Sequence, residues 1–326
     1  MQPLPHFLKK DLESLDHLIS SLLQNSGIPL AQDIGRHLIM AGGKRLRPLI
    51  TLLCAHACGK QTSGRAISLG ACIELIHTAT LLHDDVIDQS HQRRGKPSAH
   101  TVWGNDASIL VGDFLFSQAF ELMVADGSIE TFKILSQATS CISKGELIQL
   151  SCIRTVRTEK KLYLEIIEAK TAALFEAAAE LGAIAGNATF QEQYLLKTLG
   201  HLIGVLFQIS DDILDLNLYE TPSDKVPGND LLEGKMTLPL IFAYDNSTPS
   251  QKELIEDTIQ RADLFEKNFP KIQQLCRDLQ VPLLIQNFAD PFYKQSLQLL
   301  EKLPPSPAKN FLKHIIAFAF DRSKEA

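Results

Sequence analysis

The sequence lacks the features that define secreted, membrane-spanning or nucleic-acid-binding proteins. Its 326 residues include 32 basic and 38 acidic side chains, a net charge of −6, whereas a nucleic-acid-binding surface usually needs a basic excess. The six cysteines lack disulfide-framework spacing. No uninterrupted apolar run approaches the roughly 18–20 residues that cross a bilayer, and the N-terminal residues lack a signal-peptide layout. We therefore expect a cytoplasmic protein with no transmembrane segment and no nucleic-acid partner.

Domain linkers and strand patterns are also lacking. No stretch rich in glycine, serine and proline divides the chain, and 45% of its residues are hydrophobic, enough for a large core. Alternating Val/Ile/Thr runs bounded by tight-turn dipeptides are absent. Instead, apolar residues recur at spacings of three and four, as on one face of a helix. The sequence predicts a single all-α domain over residues 1–326.

The helical pattern is strongest in the first three quarters of the chain and weakens beyond Asn246, although Phe292–Leu303 and Lys309–Phe320 still look helical. The stretches with the strongest pattern after the N-terminal helix are Arg47–Ala57, Ala66–His83, Ala107–Val124, Ile129–Leu150, Lys160–Gly182, Gln191–Leu218 and Met236–Ala243. Glycine and proline mark most of the breaks between these stretches.

Two copies of one acidic signature lie in apolar stretches of this pattern. The first is LLHDDVID, with Asp84, Asp85 and Asp88, and the second is FQISDDILD, with Asp211, Asp212 and Asp215. In a helix, the first and last Asp of each signature share one face, because they are i and i+4. Carboxylates in apolar surroundings need compensation. Mg²⁺ takes oxygen ligands and is often shared with substrate phosphates, so the two clusters predict a metal site for a diphosphate.

Basic residues complement the acidic ones. The segment GGKRLRP at 42–48 places two glycines before three cations, so the backbone can approach a ligand closely and arginine can grip phosphate oxygens. A second block, RRGK, starts five residues beyond the first Asp cluster. Single cations of this kind are usually solvated surface groups, and a single DDxxD is common. The combination is far more specific.

Over nearly its whole length the chain resembles the trans-polyprenyl diphosphate synthases. The motifs that carry the resemblance are GGKRLRP, IHTATLLHDDVID, RRGKPSAH, GDFLFSQAF, KTAALFEAAAELG, FQISDDILD and DLLEGKMTLP. Within that family the sequence is most similar to bacterial octaprenyl diphosphate synthases. The resemblance implies an all-α isoprenoid synthase-type helical bundle around a deep central cavity, and a homodimer.

The resemblance also implies residue roles. Asp84 and Asp88, with Asp85 beside them, would bind two Mg²⁺ ions that hold the allylic diphosphate. Asp211, with Asp212 and Asp215 nearby, would face them and hold a third. Arg93, Lys170 and Lys225 would contact the allylic diphosphate, and Lys44, Arg47, His77 and Arg94 would bind isopentenyl diphosphate. Thr171 and Gln208 would lie near the reacting carbons. Lys235 would close over the mouth of the cavity. Asp224 replaces the glycine that the family usually has before Lys225.

The expected reaction is the repeated addition of isopentenyl diphosphate to an allylic primer, farnesyl diphosphate, giving an octaprenyl product for a quinone side chain. Breaking the allylic C–O bond leaves a cation and a diphosphate, whose charge metal ions and cations stabilise. By resemblance, the released diphosphate then takes the proton. Water must be excluded because it would quench the cation.

Product length should depend on the helix before the first Asp cluster. Ala79 and Thr80 would lie roughly 6–8 Å below Asp84, with Ile76 and Ile73 deeper, because a helix rises 1.5 Å per residue. Small side chains at these two positions should let the growing tail pass, although ordinary helix packing would also accommodate them. Met123 is a candidate floor of the cavity, with Phe132 and Leu135 as others, and for Met123 a core role is equally compatible.

Three alternatives stay open. The same chemistry with a hepta-, nona- or geranylgeranyl product is the nearest. A terpene cyclase fits poorly, because cyclases generally lack the second DDxxD and the two basic blocks. A non-catalytic subunit of a heteromeric synthase usually loses Asp residues from these motifs, and none is missing here.

Overall fold

Helices form wherever the three-and-four spacing of apolar residues is strongest, as the computed structural model shows. The structure describes residues 4–325 except 41–43, 59–63, 94, 157–158 and 219–226. Its α-helices are α1 His6–Asn25, α2 Pro29–Met40, α3 Leu46–Ala57, α4 Gly64–Ile87, α5 Ala99–Trp103, α6 Asn105–Asp126, α7 Ile129–Cys152, α8 Lys160–Ile167, α9 Ala173–Ala185, α10 Phe190–Asp215, α11 Asn229–Glu233, α12 Leu238–Asp245, α13 Pro249–Gln260, α14 Phe265–Asp278, α15 Val281–Glu301 and α16 Pro307–Glu325.

Three short elements interrupt this helical order. A π-helical segment, Glu168–Ala172, joins α8 to α9. A 3₁₀ turn, Ala262–Leu264, precedes α14. The strands β1 Gln92–Arg93 and β2 Lys96–Pro97 pair antiparallel, and Gly95 turns the chain between them with a φ of 72°. The predicted all-α class is confirmed, although the hairpin was not predicted.

Several boundaries differ from those that periodicity predicted. The stretch predicted as one helix over Lys160–Gly182 is α8, the π-helical segment and α9. The break predicted over residues 221–234 contains α11. Beyond Asn246, α13 and α14 follow where the pattern was weak, whereas α15 and α16 overlap the two stretches, Phe292–Leu303 and Lys309–Phe320, that were predicted to be helical. The helices α13 and α14 have negative mean hydropathy, because polar residues outnumber apolar ones in both.

The chain divides into two compact units. The first comprises Met1–Thr139, Leu174–Gly200 and Leu300–Leu312. The second comprises Ser140–Ala173, His201–Leu299 and Lys313–Ala326. The first Asp motif belongs to the first unit and the second motif to the second. The prediction of a single domain over residues 1–326 is not tested by this division and stays a prediction.

Helix α4 is the centre of the first unit. It packs against α1, α3 and α6, and residues such as Leu69 and Ile73 are completely buried. Burial of such side chains stabilises the unit by roughly 1.5–3 kcal/mol each. Glycine allows α9 to approach α3 closely, because a Cβ at Gly182 would lie 2.2 Å from the carbonyl oxygen of Thr51. The helix that ends in the first Asp motif is thus fixed by a packed core.

The core of the second unit surrounds α12. Residues Leu238–Ala243 of this helix are all buried, and it packs against α8, α13 and α14. Gly228 takes a φ of 81° before α11, where its missing side chain makes room for the ring of Phe269. This turn fixes the chain that returns to the C-terminal end of α10.

Two helices, α4 and α6, are long and apolar enough to cross a bilayer by length and composition. In α4, 67% of the most apolar 18-residue stretch is buried inside the protein, and in α6 the corresponding share is 39%. Core helices commonly pass this test, so it is weak support for a membrane span.

Candidate active site

The first Asp motif forms the C-terminal end of α4. Asp84 lies in the last turn, and the backbone N–H of Asp88 donates to its carbonyl oxygen at 2.8 Å, so both lie on one face. The side chains of Asp84 and Asp88 are half-buried. The prediction that this motif is helical is confirmed. It places two carboxylates i and i+4 at the end of a fixed helix.

Asp85 points elsewhere and is fully buried, with 0% of its surface exposed. Arg93 of β1 grips it with a fork: Nε donates to both carboxylate oxygens at 2.8 and 2.9 Å, and Nη2 donates to Oδ1 at 2.5 Å. Burial acts to lower the pKa of Arg93, but the hydrogen bonds and charge of Asp85 outweigh it and raise that pKa. The guanidinium therefore stays protonated at the edge of the motif.

The basic residues just before α3 and in its first turn lie in the same unit as the first Asp motif. Arg47 Nη1 and His77 Nε2 are 3.0 Å apart, and the Arg47 guanidinium lies over the ring of Phe175, 4.5 Å from its centroid. Lys44 is exposed. Arg45, in the left-handed conformation with a φ of 45°, forms ion pairs with Glu74 and with Asp16.

A cleft in this unit brings together two of the arginines. Arg45 and Arg93 both line it, as does the buried carboxylate of Glu74. Arg45 was not predicted as a site residue, because GGKRLRP alone does not show which cation turns inward. Both guanidiniums are paired with carboxylates, Arg45 with Glu74 and Arg93 with Asp85, so two ion pairs line this cleft.

The second Asp motif ends α10, and its middle residue is again buried. Asp212 is 3% exposed and accepts two hydrogen bonds of 2.7 Å, from the Tyr163 hydroxyl to Oδ2 and from Gln208 Nε2 to Oδ1. Thr171 in turn donates to Gln208 Oε1 at 2.7 Å. Burial and the charge of Asp230 raise the pKa of Asp212. Burial, followed by the nearby Asp212 charge, raises the pKa of Tyr163.

The outer carboxylates of this motif are half-buried. Asp215 Oδ2 accepts the backbone N–H of Asp230 at 3.2 Å, and its carbonyl oxygen accepts that of Gly228 at 2.7 Å. These two bonds tie the chain before and within α11 to the end of α10. Asp211 is also half-buried.

Lys170 and Thr171 lie on the π-helical segment. This wider turn changes the direction of both side chains relative to a regular helix, as such turns often do at functional sites. Lys170 Nζ donates to Glu146 at 2.8 Å and to Gln149 at 2.9 Å. A Cβ at Gly145 would lie 2.7 Å from the Lys170 backbone nitrogen, so only glycine allows α7 to pass this close.

A cleft in the second unit connects these groups. It has a cavity volume of about 120 Å³, is partly open to solvent, and is lined by Lys170, Thr171, Gln208, Asp212, Asp230 and Lys235 among others. Lys235, expected to close over the mouth, is 8% exposed and pairs with Glu233. The structure thus brings together five of the residues that the resemblance named in this part of the chain.

The residues expected to set product length lie in the interior. Ala79, Ile76 and Met123 are buried, and Thr80 is half-buried with its hydroxyl donating to the His77 carbonyl at 2.8 Å. Burial is compatible with packing and with lining a cavity. Their effect on chain length stays a prediction.

Some predicted residues lie outside the described part of the chain. These are Arg94, Lys225 and the neighbouring Asp224, together with Gly42 and Gly43. Their predicted roles therefore have no structural counterpart here.

Sequence reasoning missed several residues of the second cleft. Tyr163, Glu146, Gln149, Gly145 and Asp230 contact predicted site residues. Most belong to other helices, and helical periodicity gives no signal for which distant side chain reaches a site. Asp230 is the one that the sequence could have indicated, because it begins the motif DLLEGKMTLP, five residues before Lys235.

The carboxylates fit Mg²⁺ as a partner of a diphosphate. Among the described residues, no three His, Cys, Asp or Glu side chains are grouped so that they could hold an ion alone. Mg²⁺ is usually bound by one or two carboxylates plus substrate phosphates and water, and not by an all-protein cage. Two Asp at i and i+4 are the donor set that such shared binding needs.

Fold and site together define the class: an all-α protein of the isoprenoid synthase fold with two DDxxD motifs. The polyprenyl synthetase family model matches residues 28–276. The chain is 36% identical over 302 residues to octaprenyl diphosphate synthase of Escherichia coli (strain K12), covering 92% of each. The chain belongs to the polyprenyl synthetase family and is a trans-prenyltransferase.

Two further relatives support the same conclusion. A nonaprenyl diphosphate synthase of Rhodobacter capsulatus is 38% identical over 323 residues, covering 96% of this chain and 95% of the relative. The polyprenyl synthase of Caulobacter crescentus CB15, solved with calcium and isoprenyl diphosphate, is 37% identical with a TM-score of 0.91 and coverage of 98% and 96%. Other relatives are named for heptaprenyl, decaprenyl or geranylgeranyl products.

Gly145→Ala should lower kcat/KM for prenyl transfer by about 10- to 100-fold, because the added Cβ must displace the backbone of Lys170 and misplace its side chain. Steady-state kinetics with both diphosphates would measure this, and circular dichroism would check the fold. Ser140→Ala, an exposed position on the same helix, is the matched control and should behave as wild type. A folded Gly145→Ala variant with wild-type kcat/KM would contradict the assigned role of this close approach.

Proposed function

We propose that this chain elongates farnesyl diphosphate with successive isopentenyl diphosphate units to a long-chain all-trans polyprenyl diphosphate. The observation that carries the proposal is the repeated arrangement of the two DDxxD motifs. Each ends a long helix with outer carboxylates half-buried, and the middle carboxylate accepts hydrogen bonds from Arg93 in the first motif and from Gln208 in the second. Elongation needs a bound diphosphate and a stabilised cation, and these groups supply both requirements.

Asp84, Asp88, Asp211 and Asp215 are proposed to hold three Mg²⁺ ions together with the allylic diphosphate. The relative from Caulobacter crescentus, solved with calcium and isoprenyl diphosphate, supports a divalent cation and a diphosphate as ligands. When bound, Mg²⁺ withdraws negative charge from the leaving diphosphate. For Asp85 and Asp212, the hydrogen bonds described above favour a different role.

The chain's own cations complete the diphosphate sites. Arg93 and Lys170, with Lys225, would contact the allylic diphosphate and neutralise the charge that develops as the C–O bond breaks. The set Lys44, Arg47, His77 and Arg94 would bind isopentenyl diphosphate. The contact of Arg47 with His77 supports a shared task for that pair. Lys235 is proposed to line the mouth.

Thr171 and Gln208 are proposed to lie near the reacting carbons. Oxygen atoms of a hydroxyl and an amide carry partial negative charge, so they stabilise an allylic cation held against them. The double bond of isopentenyl diphosphate then forms the new C–C bond, and a proton leaves to the released diphosphate. No protein base is required in this step.

An octaprenyl product for a quinone side chain is proposed on the similarity to the enzyme of Escherichia coli. Relatives of similar identity are named for other lengths, so hepta-, nona- or geranylgeranyl diphosphate is the alternative. A homodimer is supported by exposed apolar side chains along α6 and the start of α7, such as Leu110 at 65%, Val124 at 72% and Ile129 at 84%. Light scattering on the purified chain measures this state.

A cytoplasmic location is proposed as well. All six cysteines are without disulfides, as a reducing compartment would keep them.

The purified chain alone, incubated with farnesyl diphosphate, labelled isopentenyl diphosphate and Mg²⁺, should incorporate label into a ladder ending at the octaprenyl length. Chromatography and mass spectrometry of the products would measure this. A ladder ending at another length would replace the octaprenyl assignment and leave the chemistry intact. No incorporation by a folded chain would instead favour a non-catalytic subunit of a heteromeric synthase.

Asp84→Ala and Asp211→Ala should each lower turnover by about 100-fold or more at saturating Mg²⁺, because the leaving diphosphate loses its metal-held contact. Initial rates of isopentenyl incorporation would measure the loss. The exposed Asp33→Ala on α2 is the matched charge control and should keep the wild-type rate. Near-normal rates in either motif variant would refute its assignment as a metal ligand.

Ala79→Tyr should shorten the product to about three to five isoprene units, because an aromatic side chain would fill the path about one turn below Asp84. Met123→Ala should lengthen it. Product ladders of the two variants would be compared with wild type. Because Ala79 is fully buried, a melting curve must first establish that the tyrosine variant folds. An unchanged ladder from a folded Ala79→Tyr variant would exclude the cavity path along this face of α4.

A further inference from the structure

The segment that leads into α3 contains one arginine whose contacts differ from those of its basic neighbours. Arg45 has a φ of 45°, in the left-handed region that few residues other than glycine adopt. It lies between Lys44 and Arg47, two of the cations proposed to bind isopentenyl diphosphate. We propose that Arg45 is a positioning residue for this substrate: its ion pair with Glu74 of α4 determines where Lys44 and Arg47 lie. This rests on the function proposed above.

Carboxylates of two helices meet the Arg45 guanidinium. Its Nη1 donates to Glu74 Oε1, and its Nη2 lies 3.2 Å from Asp16 Oδ1. The side chains of Arg45 and Glu74 are 12% and 9% exposed, so solvent and salt screen this pair little. The side chain of Asp16 is 49% exposed, and its ion pair contributes less. Separating Arg45 from Glu74 would leave a buried carboxylate without this partner, which is costly and favours a single position of Arg45.

Both carboxylates belong to packed helices. Glu74 is in α4, and Asp16 of α1 follows Leu15, which is completely buried. A Cβ at Gly70 of α4 would lie 2.9 Å from Leu15 Cδ1 and 3.6 Å from the Cβ of Pro48 in α3. The helices α1, α3 and α4 therefore meet closely beside the ion pairs. The guanidinium is thus held by two helices whose positions the core of the first unit already determines.

Two contacts on one face of α4 hold the basic segment. Glu74 holds Arg45, and Nε2 of His77, three residues further along α4, lies 3.0 Å from Nη1 of Arg47. Residues three apart in a helix are neighbours on its surface, so the two contacts are adjacent. The backbone N–H of Leu49 donates to the Arg45 carbonyl oxygen at 2.9 Å, so α3 starts from the residue that Glu74 fixes. The direction of α3 and the position of its first-turn arginine therefore depend on this ion pair.

The contacts of Arg45 favour positioning over direct binding of a phosphate. A diphosphate that took the guanidinium would have to displace the buried carboxylate of Glu74 or lie beside its negative charge, and like charges at close range repel. Lys44 is exposed, so it is open to a ligand from solvent. The Arg47 guanidinium lies over the ring of Phe175, 4.5 Å from its centroid. Arg45 therefore acts on the substrate through the cations on either side of it.

Steady-state kinetics with each diphosphate varied in turn measure this role. Arg45→Asn removes the ion pairs and keeps a residue that tolerates the left-handed region. It should raise the KM for isopentenyl diphosphate by about 10-fold and leave kcat and the KM for farnesyl diphosphate within about twofold, because only the extender's cations are displaced. Glu74→Met, of similar length and without charge, should raise the same KM by about 5- to 10-fold and spare the other two constants.

The double variant Arg45→Asn/Glu74→Met separates position from stability. It removes both charges of the pair, so it should melt at a higher temperature than Arg45→Asn, in which the buried carboxylate loses this partner. Its KM for isopentenyl diphosphate should nevertheless equal that of Arg45→Asn within about twofold, because both changes act through one contact. Arg36→Asn, at an exposed position on α2, is the matched control and should keep the wild-type values of all three constants.

Each result decides the proposal. A raised KM for isopentenyl diphosphate in Arg45→Asn beside a wild-type value in Glu74→Met would overturn it and make Arg45 a direct substrate contact. Wild-type constants in the folded double variant would also overturn it, because the ion pair would then serve stability alone. Equal rises in the KM values of both diphosphates would overturn the assignment to the extender. A wild-type chain that incorporates no isopentenyl diphosphate would instead overturn the proposed function itself, which is a separate and recognisable outcome.

Discussion

The constraint on which the site depends is the burial of a negative charge at the end of each motif helix. A carboxylate without a partner in the protein interior costs several kcal/mol, so Asp85 and Asp212 can be buried only where donors meet them. Arg93 meets the first from the β-hairpin, and Tyr163 with Gln208 meets the second. The need to compensate these two charges therefore determines where a short hairpin and a distant helix must lie.

The two kinds of compensation suit two kinds of task. A guanidinium fork leaves a strong positive charge beside the motif, where a diphosphate would bind. Neutral donors, a phenol and an amide, add no positive charge to that of Lys170 and Lys235 in the cleft with Gln208 and Thr171, where a carbocation is proposed to form. The difference in partner chemistry thus follows from the difference in the charge each place has to stabilise. Identical acidic signatures acquire different functions through their neighbours.

Much of the fold and part of the site could be predicted from the sequence, since both depend on local order. Periodicity located the helices that carry Asp84 and Asp211, and i, i+4 spacing gave the shared face of the outer carboxylates. The π-helical segment at Lys170 could not be predicted, because one extra residue in a turn does not disturb an apolar pattern enough to be seen. The contacts of Tyr163, Glu146 and Gly145 with site residues could not be predicted either, because they arise from packing between helices that are far apart in sequence. The burial of Asp85 and Asp212 was missed for a related reason, since a polar residue in an apolar helix does not reveal whether it meets a partner.

Product length depends on a different physical quantity from the chemistry. Binding and ionisation of a diphosphate need charges and donors at fixed places, and these can be shared by enzymes that make products of different length. Chain length depends on how much interior volume lies below the motif, which small changes at buried positions such as Ala79, Ile76 and Met123 can alter without touching a charge. Relatives at 30–38% identity accordingly carry names that range from geranylgeranyl to decaprenyl. The acidic and basic motifs therefore identify the reaction, whereas the length of the product is proposed to follow from the volumes of buried apolar side chains such as Ala79 and Met123.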